Sequence, residues 1–464
     1  MSAPVAVVGA GPAGLFQALY LAKVRKRPVV IIEQQGAVGG ILRGGDTPWG
    51  PVDQGAYIFQ ETGQRDLDGL FGDCMPEEAW HRLEGVRRDI GGNYFSGAVD
   101  EGSLFPDIRR LPAEDYRRCT AELAECAARE PPGTTASANL ADYLSARFGP
   151  HVVKCVHAPF VRKFWRAAPE DLAAATAVMV HMTRVVAHDM EQSLALKRAP
   201  GWNAVLGVPD QLAFPPHLLS STKACLYPRA YGTANVLGGL TAALRRSGVE
   251  ILTGASITGL DIAQGAVRGL HVTTGTGART VPVSGVLWAS ANGPLLAMLG
   301  LQVVAPMAPP VPHRIVNLFL DRPPLTGPLY WLWSYDPATQ WIRFSSGAAY
   351  CPAAAVNGLY PVCVETNIPR ADMPSDAVVA QVEQELRAGG LMAADTKVVG
   401  TYVHPGVKGF FVPNLANCAS LAAQRTAIEA NKPANLFATG QDIAAGVFFL
   451  PDVLLASLPA LDIL

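Results

Sequence analysis

Three glycines near the N-terminus, Gly9, Gly11 and Gly14, stand at the spacing G-x-G-x-x-G, and an acidic residue, Glu33, closes the apolar run that follows. Glycine at the first position permits a tight turn, at the second a close approach of backbone to a pyrophosphate, and at the third close helix packing. The carboxylate can accept hydrogen bonds from ribose hydroxyls. The N-terminus of the helix that follows, reached through Pro12 and Ala13, adds free N–H groups and the positive end of its dipole for phosphate. The chemistry is dinucleotide binding, and spacing alone does not choose between NAD and FAD.

That chemistry requires the motif to sit between a strand and a helix. Residues 4–8 read as a strand buried on both faces, 15–24 as a crossover helix and 28–32 as a second parallel strand ending at Glu33, a complete βαβ unit. A glycine-rich loop follows over 36–63. Charged, helical texture then runs over 76–218, with helices expected at 140–148 and 169–188. Beyond it come a helix over 238–247 and a strand over 248–252. A three-stranded ribbon over 257–261, 267–273 and 279–283 precedes a buried strand at 285–289. Alternating runs at 315–320, 330–335, 341–345 and 362–367 predict an antiparallel sheet, 376–388 an amphipathic helix, 436–439 a strand, and the region from about 452 a last helix. The expected fold is α/β: a Rossmann-like dinucleotide domain with an inserted α+β substrate domain that holds an antiparallel sheet and a helical subdomain. Its expected segments are 1–75, 219–304 and 411–464 for the cofactor, 76–218 for the helical insertion and 305–410 for the substrate sheet.

Bulk properties narrow the function classes. A chain of 464 residues has room for two cores, and with 49% hydrophobic and 16% charged residues but no apolar run of about 18 it reads as globular without a membrane span. A net charge of −2 provides no basic field for nucleic acid, and the short runs Arg87-Arg88 and Arg109-Arg110 read as solvated surface. The eight cysteines include no C-x-x-C pair and the nine histidines are dispersed, so no metal site is expected; His181 and His188, seven apart on an expected helix, read as structural or surface residues. A G-x-S-x-G elbow is missing, and the only second G-x-G, at 275–277, falls in a hairpin. The first residues enter a strand with no basic region or cleavage site, so a cytoplasmic location is expected.

Further segments select the cofactor by resemblance. Gly39-Gly40-Ile41-Leu42-Arg43 and Pro51-Val52-Asp53-Gln54-Gly55-Ala56-Tyr57-Ile58-Phe59 resemble the second glycine pair and the flavin-lining segment of the FAD superfamily (GR2-type flavoproteins) that contains amine oxidases, protoporphyrinogen oxidases, carotenoid desaturases and UDP-galactopyranose mutases. Ala158–Trp165 is similar to its "P…K-x-W" stretch, and Tyr227–Thr233 to its "Y-P-x-G-G" loop. The resemblance implies FAD, with Glu33 and its neighbour Gln34 near the ribose and Arg43 on the pyrophosphate. It places Gly55, Ala56 and Tyr57 along the flavin and Ile257 by the adenine. Gly440, Gln441 and Asp442 would hold the ribityl chain, and Phe449, Asp452 and Val453 would open a helix toward the flavin N1–O2 edge. Where the family carries Gly-Asp or Gly-Arg, Gln441 intervenes here, which leaves both Gln441 and Asp442 open for the ribityl contact. Asp452 suits an N-cap, and free N–H groups there would stabilise negative charge on reduced flavin.

The activity so implied is that of an FAD-dependent oxidoreductase, whether oxidase, dehydrogenase or desaturase, taking a hydride from a small organic substrate onto flavin N5, with molecular oxygen or external NAD(P)H as electron partner. The alternative is a non-redox mutase that uses the flavin as nucleophile. Substrate-side candidates are Tyr57, Lys163, Arg229, Tyr231, Trp331, Tyr335, His404 and Lys408. Each reads first as core, if aromatic, or as solvated loop surface, if Lys or Arg. Substrate identity, covalent flavin attachment and oligomeric state are not legible in the sequence.

Overall fold

Val5–Val8 and Val29–Ile32 are buried throughout, as β-branched residues on a sheet covered on both faces must be. In the computed structural model, which describes residues 3–464 apart from 130–132, 220, 303–306, 406–408, 410 and 444, these strands form the middle of a five-stranded parallel sheet. Its order is Glu250–Leu252, Val29–Ile32, Val5–Val8, Gly285–Trp288, Leu436–Ala438, every pair parallel. Alternate residues serve opposite faces. Val5, Val7, Val29, Ile31 and Leu287 pack with the helices Pro12–Lys23 and Thr233–Arg246, whereas Ala6, Val8, Val30, Ile32, Val286 and Trp288 pack under the ribbon Ser256–Ala263, Ala266–Thr274, Gly277–Pro282. Each such Val or Ile contributes roughly 1.5–3 kcal/mol by leaving water. The last helix, Leu450–Ile463, packs on the first, so residues hundreds of positions apart close one layer.

A second, seven-stranded sheet runs Val398–Val403, His313–Leu320, Tyr360–Asn367, Trp341–Ser346, Trp331–Ser334, Gly91–Phe95, Ala98–Asp100. Its core is continuous with that of the helices Ala113–Ala127, Leu140–Phe148 and Ala158–Trp165. The four strands expected in it do pair antiparallel. Two expectations need correction. The 76–218 block is not purely helical: it contributes Gly91–Phe95, which pairs in parallel with Trp331–Ser334 and makes the sheet mixed, and Ala98–Asp100, as well as Trp80–Leu83 of a small third sheet. Nor is 169–188 a helix. It holds only the turns Pro169–Asp171 and Thr176–Met179, then bridges from Val185 to Leu206 and from Val186 to Asp107. Val178, Val180, Thr183, Val185 and Val186 are β-branched and stiff at χ1, which disfavours helix where tertiary pairing is on offer.

The helix Leu415–Asn431 is absent from the sequence reading for a different reason. Its buried face is largely polar, with Asn417, Ser420 and Gln424 beside Cys418 and Ile428. An apolar stripe is therefore missing, and Asn417 is held instead by Ala308 N and Val412 O. No helix among the described residues is long and apolar enough to cross a membrane.

Candidate functional site

The glycine motifs meet at the carboxyl ends of the parallel strands, where open α/β sheets bind ligands. Gly9 follows the first strand at φ +99°, and a Cβ on Gly14 would lie 2.0 Å from Gly9 O, so no larger residue closes this turn. A Cβ on Gly11 would meet nothing within 4 Å. The space in front of Gly11 is open, and no side chain caps the helix that starts there at Pro12 and Ala13. Gly39 N donates to Ala10 O at 2.7 Å, and Gly40 at φ +53° sits against Gly11 Cα and Pro12, so the second glycine pair lies on the first. Arg43 is exposed beside them. Bare backbone, an uncapped helix end and an exposed guanidinium form a cradle that fits a pyrophosphate.

Glu33 accepts from Ala10 N and from Gln35 N, each at 2.7 Å, tying the glycine turn to the second strand. Gln34 is exposed next to it. Ala255 N donates to Glu33 O, which roots the ribbon and the half-buried Ile257 at the same edge. On the opposite side, Arg425 pins the 440–442 turn: it donates to Gly440 O at 2.8 Å and Gln441 O at 2.6 Å and pairs with Asp442 at 3.1 Å. Gln441 Nε2 donates to Phe448 O. Both residues that resemblance left open are thus already engaged within the turn. Asp452 is not the N-cap expected. The cap is Phe449, and Asp452 stands at the third helical position, where Oδ2 accepts from Phe449 N at 2.9 Å. Val453 is buried behind it.

Asp53 joins two of the resembling segments. It is 1% exposed and accepts from Tyr227 Oη at 2.5 Å, Thr233 N at 2.7 Å and Thr233 Oγ1 at 2.9 Å. Burial raises its pKa and the three donors oppose that rise. Gly55, at φ +87°, lies on the ion pair of Arg343 with Glu365, whose carboxylate a Cβ would meet at 3.0 Å. Ala56 and Tyr57 are half-buried, and the Tyr57 ring lies 5.1 Å from Phe59.

Several candidates prove to be structural. Lys163 Nζ donates to Ser334 Oγ, Ser334 O, Asp336 O and Thr339 Oγ1 at 2.7–3.0 Å, which fastens its helix to the second sheet. Burial draws its pKa down to about 7, against Glu385 and Asp336. Tyr335 stacks on Phe160 at 4.5 Å within the core, Tyr231 is buried against Tyr227, and His404 lies between Asn317 and Asp53 O. Arg229 is exposed, and Lys408 falls outside the described residues.

Trp331 lies beside further polar groups. Its ring is 5.5 Å from His181, which in turn is 6.2 Å from Phe449 at the start of the last helix. His181 holds a left-handed backbone, φ +56°, uncommon outside glycine, and its Nδ1 is buried without a hydrogen-bond partner. Burial first, then Arg343, lowers its pKa to about 4, so the ring is neutral at pH 7. Trp331 Nε1 donates to Asp89 at 2.6 Å, and Asp89 also lines a cavity of about 320 Å³ with Arg88, Arg184, Lys197 and Gln211. Arg88, Arg184 and Lys197 form no ion pair among the described residues, and Arg88 Nε is buried without a partner. Burial and then Arg184 pull Lys197 down to about 8. Arg88 therefore does not belong to the solvated run expected, whereas Arg109 pairs with Asp107. No spacing rule in the sequence joins residues 88, 184 and 197.

A family model described as FAD dependent oxidoreductase matches residues 4–354. Comparison with curated proteins gives no match. Among solved structures, reduced UDP-galactopyranose mutase aligns over 100% of this chain and 93% of its own at 16% identity and TM-score 0.74. A protein from Exiguobacterium sp., provisionally named a protoporphyrinogen oxidase, aligns over 100% and 98% at 13% identity and TM-score 0.65. Putrescine oxidase with bound putrescine aligns over 100% and 99% at 14% identity and TM-score 0.59. At such identities these likenesses show a shared fold. With three quarters of its length matched by the family model, the chain belongs to the FAD dependent oxidoreductase family and is an FAD-dependent enzyme.

Proposed function

We propose that the protein oxidises a small organic molecule that carries an anionic group. The observation that carries this reading is the cavity beside Trp331, lined by three cations, Arg88, Arg184 and Lys197, against the one carboxylate of Asp89, with no ion pair formed by the three among the described residues. Burial and the neighbouring Arg184 disfavour the charged form of Lys197, and a carboxylate or phosphate entering beside them would favour it. FAD would lie along Gly9, Gly11, Gly14, Glu33, Gly39, Gly40 and Arg43, with the 440–442 turn and the Phe449 end of the last helix at its flavin. When bound, it supplies an acceptor for the hydride of a C–H bond whose carbon becomes double-bonded to N, O or C with loss of a proton, and oxygen or another acceptor takes the electrons onward.

The chain's own part is binding, orientation and exclusion of water. Arg184 and Lys197 anchor the anion, Trp331 walls the path toward Phe449, and neutral His181 offers one donor and one acceptor without a charge that would bind water. None of the lysines and tyrosines described as core is free to act as a base, which suits chemistry carried by the cofactor.

Anaerobic mixing of FAD-loaded protein with panels of organic acids, phosphorylated compounds, neutral alcohols and amines tests this reading through loss of the oxidised flavin band. Anionic compounds should bleach it, and Arg184→Met should raise KM on the order of 10–100-fold with kcat little changed. Bleaching by amines or neutral alcohols in preference to acids sinks the anion assignment. Turnover that requires prior reduction and yields no net oxidation replaces oxidation with mutase chemistry.

A further inference from the structure

Asp115 and Cys119 are four residues apart on the helix Ala113–Ala127, and His151 and Cys155 are four apart on the helical stretch that runs from Pro150–Val152 into the π turn Val153–His157. A spacing of four puts both members of a pair on one helix face. The fold sets the two pairs against each other. Cys119 Sγ, a ring nitrogen of His151 and Cys155 Sγ all lie within 4.8 Å of one another, with Cys119 and His151 buried and Cys155 half-buried. Both thiols are free. Asp115 Oδ1 accepts from His151 Nε2 at 2.8 Å, and Glu122 Oε2 accepts from the His151 backbone N–H at 2.6 Å. Asp115 thus engages Nε2, which leaves Nδ1 as the ring atom that can take another partner. Carboxylate, imidazole and metal in that sequence is how proteins fix a ligating histidine. The π turn supplies one more feature: a turn with an extra residue redirects side chains and is frequent at functional sites.

We propose that Cys119, His151 and Cys155 bind one Zn2+ ion or another thiophilic divalent cation, with Asp115 holding the imidazole and a fourth position open to solvent beside Cys155. Two sulfurs and one nitrogen suit a borderline-soft ion and repel Mg2+ and Ca2+. Metal–sulfur bonds of about 2.3 Å place tetrahedral ligands about 3.8 Å apart. Rotation of side chains through roughly 1 Å closes the present cluster to that size. The residues lie on the insertion helices and take no part in the glycine cradle, so metal and FAD are held independently.

Co2+ titration of the FAD-loaded protein tests the site, because thiolate-bound tetrahedral Co2+ absorbs at longer wavelengths than oxidised flavin. The expected result is a 1:1 titration, reversed by Zn2+, lost in Cys119→Ser and Cys155→Ser, and weakened about 10–100-fold in Asp115→Asn with FAD content unchanged. Alkylation of the wild-type protein gives the answer without any variant: Zn2+ should protect Cys155 while Cys126, half-buried outside the cluster, reacts as before. Absence of the Co2+ bands, binding that survives in the double serine variant, or equal alkylation of Cys155 with and without Zn2+ would each overturn the proposal.

Discussion

The two large sheets make sites by opposite means. At the parallel sheet the candidate cradle is made of backbone: glycines at positive φ, an uncapped helix end, and a carboxylate that ties two turns together. At the seven-stranded sheet everything that could meet a substrate is a side chain brought from far along the chain, with Asp89, His181, Trp331 and Arg343 contributed by separate segments. A backbone site is sensitive to a side chain that fills its open space and is indifferent to most other changes. A side-chain site depends on burial, charge and packing, each of which can be altered singly.

The sharpest way to separate the two is Gly11→Val. Because a Cβ there meets nothing within 4 Å, the polypeptide itself should fold with an unchanged Tm when FAD is withheld. The same branched side chain fills the space in which a pyrophosphate would lie, so FAD occupancy after purification should fall by at least about 100-fold. Full occupancy, read from the visible spectrum, would remove the cradle from the cofactor altogether. Gly14→Val provides the contrast, since a Cβ 2.0 Å from Gly9 O must break the turn and lower Tm as well.

This contrast also explains what the sequence made legible. The βαβ unit is readable because strands buried on both faces leave unbroken apolar runs, the ribbon because its half-exposed strands alternate between turns, and the glycine motif because each glycine that the backbone needs is written as a glycine. Gly39 and Gly40 are found the same way. His181 and the Arg88, Arg184, Lys197 cavity leave no such trace. Their positions depend on a segment that abandons helix for bridges to Leu206 and Asp107, a tertiary choice invisible to local periodicity. The Asp115, Cys119, His151, Cys155 cluster is an intermediate case. Each pair is regular, but only the packing of two helices makes them one group.

Lys163→Met probes the second region with a smaller effect. Removing an ammonium that serves four oxygens leaves the carbonyls of Ser334 and Asp336 without this donor, at a cost of roughly 2–4 kcal/mol to stability. Thermal or urea unfolding should report that loss. The pH profile of kcat should keep its shape, because the residue fastens a helix to a sheet and does not handle a proton in turnover. A profile that loses a limb in the variant would return Lys163 to the chemistry.

The smallest effect separates the regions by pH. His157, His181 and His313 all belong to the insertion side, and burial lowers them to about 3, 4 and 4. A histidine near 6.5 when unfolded and near 3 when folded binds its proton only in the unfolded chain between those values, so stability falls as pH drops through that window, by up to about 1.4 kcal/mol per pH unit for each such group. Above pH 6.5 the same groups contribute no slope. His157 offers the clean test, since its ring lies 5.0 Å from Phe148 with both nitrogens buried and unpartnered. Phenylalanine fills nearly the same volume without a site for protonation. His157→Phe should therefore match or exceed the parent in Tm at pH 7 and lose less stability by pH 5, where the parent should give up about 2 kcal/mol through this residue alone. An identical acid slope in the two proteins would mean that His157 takes up its proton without unfolding. Buried neutral histidines would then fail as the source of acid sensitivity on the insertion side.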